Sequence, residues 1–336
     1  MESIPSDSIY FGGTELGRFA VSAFSESHSA GRPFITLTQN ALSDTTYLGY
    51  LQDMYGETIH LPGPSDSQKC IDEYLADAQT RLKHDRDFPV ESRQIRHGED
   101  VRIVAGKVQF TGPVAVMAIH ARIVKVIFDR NPDREFYLEE SYPLDWTYPH
   151  LTPHQFIFKL NREPVKEIPV ETVRTDREFW IRNTESWLGV WLKTNTSLSE
   201  ITHFVDRTYF KNDLNEFKGD PEFLRDLEAR KAVSRLRSSI AGLYAWRASN
   251  TKDPMERERM AAEGDFAFRQ AFAMCPVNPG TVARYVELLS SGGRLSDAAQ
   301  IAATAYKLDP EHKQLGDYVE QLIRNAQRTE KEPAPK

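Results

Sequence analysis

The chain has 336 residues, 40% of them hydrophobic and 27% charged, the composition of ordinary globular domains, and it is long enough to build two cores. A formal net charge of -7 and a sequence pI near 5.8 exclude the basic stripe that a nucleic-acid surface needs. The longest apolar segment, Val114 to Phe128, carries His120, Arg122 and Lys125 and falls short of the roughly 18 uncharged residues of a membrane span.

In chain order, short β-rich runs alternate with helical stretches up to about Pro169. The predicted strands are Ile9 to Phe11, Phe34 to Thr38, Thr58 to Leu61, Val101 to Val104, Glu135 to Glu139 and Phe156 to Leu160. Between them fall predicted helices at Leu16 to Phe24, Thr46 to Tyr55, Ser67 to Lys83 and Val114 to Arg130, the third entered through a cap at Asp66 or Ser67 and the last ended by Asn131-Pro132. Strands separated by helices point to an α/β fold, a Rossmann-like, mainly parallel sheet flanked by helices over residues 1–169.

Beyond Pro169 the pattern becomes helical. Trp180, Trp187 and Trp191 lie in apolar clusters at helical spacing and are expected to anchor packing between the two domains, since buried aromatics dominate cores through their area. Ser197, three residues before Glu200, has the spacing of a capping box. Pro276 and Pro310 stand 34 residues apart, the period of the tetratricopeptide repeat. Gly264 matches Ala298 and Ala271 matches Ala305 at that spacing, and Gly292-Gly293 supplies the turn inside the unit from Pro279 to Pro310. The preceding unit is irregular, with helices at Lys231 to Ala248 and Met255 to Met274. An all-helical domain is therefore expected over residues 170–328, with the tetratricopeptide-like part at about 255–326, a last helix at Leu315 to Ala326, and a disordered tail at residues 329–336.

The chemistry-bearing motifs are sparse. Gly12 and Gly17 enclose four residues, as in the phosphate loop GxxxxGK(S/T), but Arg18 and Phe19 stand where that loop needs its lysine and hydroxyl. The dinucleotide pattern GxGxxG fails because Thr14 replaces its second glycine. Glu15 already satisfies the helix dipole and would repel a phosphate. A structural turn is the favoured reading, and a small polar ligand held by Gly12, Gly13, Thr14 and Arg18 is the competing one.

The stretch from Thr36 to Tyr47 is dense in polar groups, with Thr38, Gln39, Asn40, Ser43 and Asp44 just after a strand. In an open α/β sheet both this stretch and the glycine turn fall at the carboxyl ends of strands, where ligands bind. The competing reading has Asn40 and Asp44 turning and capping the chain into the next helix. His150 and His154 are four apart, but Pro149 and Pro153 break the helix that would align them as a metal pair. His120 reads as a buried, hydrogen-bonded residue. Cys70 and Cys275 have no CxxC or Cys/His neighbour and read as free thiols. GxSxG is absent, no catalytic constellation emerges from spacing, and no cofactor or metal is implied.

Taken together, "IPSDSIYFGGTELGRF", "FITLTQNALSDTTYLGYL", "DREFYLEES" followed by "LDWTYPHLTPHQFIFKLNR", and "LRSSIAGLYAWR" resemble the soluble C-terminal region of a bacterial membrane-protein family of unknown function related to protein O-mannosyltransferases. The resemblance covers roughly Ile4 to Leu322. It implies an extracytoplasmic α/β region followed by tetratricopeptide repeats, and no catalytic residue can be carried over, because the membrane bundle that holds the family's catalytic site is not in this sequence. Without that topology the opening "MESIPSD", which lacks a basic start and an apolar core, leaves the cytoplasm as the expected location. The leading reading is a non-catalytic accessory protein that binds a peptide or protein through its helical repeat and serves a membrane glycosyltransferase. The alternative is a sugar-nucleotide or glycan site, binding or transferring, at the glycine turn and the Thr38 to Asp44 loop.

Overall fold

The computed structural model describes residues 4–12, 34–96, 98–104, 106–139, 144–311 and Gly316. The chain divides into two compact units, Met1–Thr152 with Lys159–Lys166, and Pro153–Phe158 with Glu167–Lys336. Predicted helix Leu16 to Phe24 lies outside the described residues, as do the tail and, apart from Gly316, helix Leu315 to Ala326.

The first unit is α/β. Strand β1 (Ile9–Gly12) is buried along its whole length, the pattern of a strand covered on both faces. It pairs in parallel with β2 (Ile35–Thr38) on one side and with β5 (Phe136–Leu138) on the other. Strands β6 (Leu151–His154) and β7 (Ile157–Leu160) complete a five-stranded sheet in the order β2-β1-β5-β7-β6. Two residues join β6 to β7, with Gln155 at φ 56°, and so tight a link makes this pair an antiparallel hairpin. The sheet is thus mixed rather than mainly parallel. Strand β6 escaped the sequence pattern because it contains Pro153, which a sheet accepts at its edge, where β6 lies.

One other strand expectation is corrected, and one holds in a separate sheet. Thr58 to Leu61 forms no strand, because the side chain of Asn131 takes both backbone groups of His60: the His60 N–H donates to Oδ1 at 2.7 Å and Nδ2 donates to the His60 carbonyl at 2.9 Å. An amide side chain thereby replaces a neighbouring strand. Val101 to Val104 is a strand, β3 (Asp100–Val104), but it pairs only with β4 (Lys107–Thr111) in a separate antiparallel ribbon turned at Gly106, φ 77°.

The helices of this unit are α1 (Thr45–Tyr55), α2 (Pro64–Asp87) and α3 (Pro113–Arg130). Helix α2 begins three residues before the predicted start because proline is well placed in a first turn and the Asp66 carboxylate accepts the Gly63 N–H at 3.1 Å. Helix α3 buries Ile119, Ile123 and Ile127, spaced four apart. Its end is held against β5 by Phe128, whose ring meets Phe136 edge to face at 5.0 Å. The Arg162 guanidinium covers both rings and donates to the carbonyls of Phe128, Asn131 and Arg134.

Beyond Pro153–Phe158 the second unit is helical: α4 (Val170–Leu188), α5 (Leu198–Val205), α6 (Pro221–Arg225), α7 (Leu227–Asn250), α8 (Pro254–Met274), α9 (Pro279–Ser291) and α10 (Leu295–Leu308). Three of them share one start signal. Asp220, Asp253 and Asn278 cap α6, α8 and α9 through side-chain oxygens, each followed by a proline whose missing N–H costs nothing in the first turn. Ser197 and Glu200 form the expected capping box. The turn between α9 and α10 uses Gly293 at φ 75°.

Among the described residues, ring partners of these three tryptophans belong to this unit. Trp180 meets Phe156 edge to face, Trp187 stacks on Phe223 at 5.0 Å and Trp191 on Phe204 at 4.3 Å. They contribute to its core. Trp180 also lies under Arg237, whose fully buried guanidinium bonds Asp176 at 2.8 Å and Gln270 at 2.8 Å. Cys70 and Cys275 are buried free thiols.

Candidate functional site

The strongest assembly of chemically capable groups named by the sequence is at the carboxyl ends of β1, β2 and β5. Gly12 and Thr38 are register partners, the last residues of two parallel strands. Phe11 pairs with Leu138, and the following Glu139 N–H donates to the Phe11 carbonyl at 3.0 Å. Strand order reverses here, with β2 on one side of β1 and β5 on the other. In open α/β sheets ligands commonly bind at such a switch point, outside the carboxyl ends of the strands.

Gly12 is required by packing. A Cβ there would lie 2.9 Å from Cε1 of Tyr10, and Tyr10 is itself fixed by donating to Glu139 at 2.8 Å. Gly13, Thr14 and Arg18 lie outside the described residues. Thr38 donates its backbone N–H to the Tyr47 hydroxyl at 2.8 Å, which ties the end of β2 to α1. Asp44 caps α1, accepting from the Thr46 N–H at 2.8 Å, so its carboxylate is occupied by its own helix. Asn40 is half-buried in the 3-10 turn Gln39–Ala41.

Gln39 differs from these. Its side chain is fully buried, and among the described residues neither Oε1 nor Nε2 has a hydrogen-bond partner. An unmade buried amide bond costs about 1–3 kcal/mol, which makes this side chain an exception that calls for a partner.

Helix α3 brings a second such group to the same end. His120, spaced among the apolar residues of that helix, is buried, and its Nε2 lies 2.7 Å from the Ser43 hydroxyl. Burial holds its pKa down at about 4, so the ring is neutral near pH 7. Its Nδ1 is buried without a hydrogen-bond partner among the described residues.

A serine and a histidine at this distance have the reach of a nucleophile and its base. Catalysis of that kind needs Nε2 to accept, and therefore a proton on Nδ1 held by an acceptor. With Nδ1 unpartnered, an N–H there would be an orphaned buried donor, which is rarer in folded proteins than an orphaned acceptor. The favoured tautomer carries its proton on Nε2 and donates it to Ser43. Seventy-seven residues separate the two, so no spacing motif could announce them, and the one visible signal was a histidine inside an apolar stripe.

His150 and His154 do not share a helix. His150 ends a 3-10 turn and its Nδ1 is 2.8 Å from the Asn161 carbonyl, while His154 belongs to β6. Among the described residues no helix is long and apolar enough to cross a membrane.

Compared with protein-family models, curated proteins and solved structures, the chain matches none.

Proposed function

We propose that the first unit is a Rossmann-like domain that binds a small, neutral, hydroxyl-rich ligand, a sugar or the end of a glycan, at the carboxyl ends of β1 and β2. The observation that carries this reading is the Gln39 amide, buried with both of its polar atoms unpartnered beside the Gly12–Thr38 strand ends. An amide supplies two donors and an acceptor oxygen, and the neutral His120 ring adds one acceptor at Nδ1. Sugar hydroxyls, each both donor and acceptor, match that set. The resemblance to a family related to protein O-mannosyltransferases adds support from analogy. A thermal-shift screen of neutral sugars tests it: a ligand that raises the melting temperature of the native chain and leaves Gln39→Leu unmoved supports the reading, and equal shifts in both proteins refute it.

In this reading the paired helices α7–α8 and α9–α10 are a short tetratricopeptide-type stack. The specific observation favouring it is the glycine turn between α9 and α10, with Pro276 and Pro310 following α8 and α10 at the repeat spacing. Such a stack would bind a peptide or protein partner and place the chain as an accessory to a membrane glycosyltransferase, on the outer face of the membrane if the family topology holds.

A further inference from the structure

A cavity of about 610 Å³ lies within the first unit, between α2, the residues leading into β3, α3 and the turn at Asp145–His150. That is the volume of a small-ligand site. Its floor is apolar, formed by Met117, Ala118 and Ala121 of α3 and by Trp146. The indole is fixed in place by donating its N–H to the Ala121 carbonyl at 2.8 Å.

Four cations, Arg81, Arg96, Arg122 and Lys125, and three carboxylates, Asp77, Glu99 and Asp145, also line it. Their pairing is uneven. Arg81 grips Glu99 through two bonds of 2.6 and 2.7 Å and Asp77 through a third of 3.0 Å, so it is part of the wall. Arg96 closes on Asp145 at 2.6 Å. Lys125 reaches Asp129 at 2.8 Å, with its ammonium 5.4 Å from the centre of the Trp146 ring.

Arg122 is matched less completely. It donates to the Ala118 carbonyl of its own helix at 3.0 Å, and its nearest carboxylate, Asp77, is 3.8 Å away and already serves Arg81. A guanidinium offers a planar fork of donors suited to an oxyanion. Lys125 lies one turn along the same helix, with its ammonium over the Trp146 ring, while the Arg122 guanidinium lies over the Tyr74 ring at 5.6 Å.

The geometry points to this cavity as a binding site for a small aryl anion, with its carboxylate or phosphate head on Arg122 and Lys125 and its ring on Met117, Ala121 and Trp146. It is independent of the neutral site at the strand ends, since its lining residues occupy a different face of α3 from His120.

The test uses the full chain and 1-anilinonaphthalene-8-sulfonate, an aryl anion whose fluorescence reports binding, with phenyl phosphate and neutral benzyl alcohol as competitors. The expected result is saturable one-to-one binding that phenyl phosphate reverses and benzyl alcohol does not. Arg122→Met should weaken it at least about tenfold, the value of one lost charge-assisted contact. Ala121→Phe, which fills the cavity, should abolish it, and Gln39→Leu should leave it unchanged. Lys125→Met serves as the second charge variant should Arg122→Met melt early. Binding that is unsaturable, that benzyl alcohol reverses equally, or that survives both the charge and the filling variants overturns the assignment.

Discussion

His120 Nε2 stands 2.7 Å from Ser43 Oγ across the start of α1, the one hydrogen bond of a ring otherwise buried. Because burial lowers the folded-state pKa from 6.5 to about 4, the unfolded chain takes up a proton in this interval that the folded chain refuses. Stability contributed by the neutral ring is therefore complete above about pH 6.5 and lost as pH falls toward 4, by about 3 kcal/mol in all. Urea unfolding at pH 7.5 and 5.0 should show this slope, and His120→Gln, which cannot titrate, should flatten it.

Gln39 makes the opposite kind of prediction. If its amide awaits a ligand, the unliganded protein carries the cost of two unmade buried bonds. Gln39→Leu removes those polar atoms at similar volume and should raise stability by about 1–3 kcal/mol, read as a higher denaturation midpoint with an unchanged slope. A lower midpoint would show that the amide has a structural partner.

What the sequence disclosed and what it hid follow one rule. Elements whose causes are local were legible: the Ser197–Glu200 capping box, the long apolar stripe of α3, and the paired helices with glycine between them. Features made by distant residues were not. Asn131 satisfying His60 across 71 positions removed a strand that composition favours. Strand β6 was masked by Pro153, whose acceptability depends on lying at a sheet edge. Thr38, Gln39 and Asp44 were singled out through polar density after a strand, and Gly12 through its turn, and of these Asp44 caps α1 instead. His120 could not be attached to them, because only the packing of α3 brings it there.

In the second unit, Asp176 and Arg237 form an ion pair buried on both sides, with Tyr244 donating to the same carboxylate oxygen at 2.9 Å. Removing one partner strands a buried charge. Asp176→Ala should cost about 3–5 kcal/mol, whereas Asp176→Leu combined with Arg237→Met should recover most of that loss. Thermal denaturation of the single and double variants checks the ordering.

Acid should act on the first unit at lower pH through Glu99. Burial alone would raise this carboxyl, but hydrogen bonds from Arg81, Tyr74 and the Arg96 amide hold it at about 2. Its contribution is therefore present above about pH 4.5 and disappears as pH falls toward 2. Glu99→Gln should abolish that part of the acid transition and leave the His120 interval intact, as chemical unfolding between pH 5 and 2.5 would record.

The strand ends of the first unit are proposed to hold a neutral, hydroxyl-rich ligand. Native mass spectrometry of the full chain against a panel of neutral mono- and disaccharides tests it most directly, with Gln39→Leu measured in parallel. The expected result is a one-to-one adduct with at least one sugar that is lost in Gln39→Leu while the variant stays folded. A bare protein mass across the panel, or an adduct that persists undiminished in the variant, would contradict it.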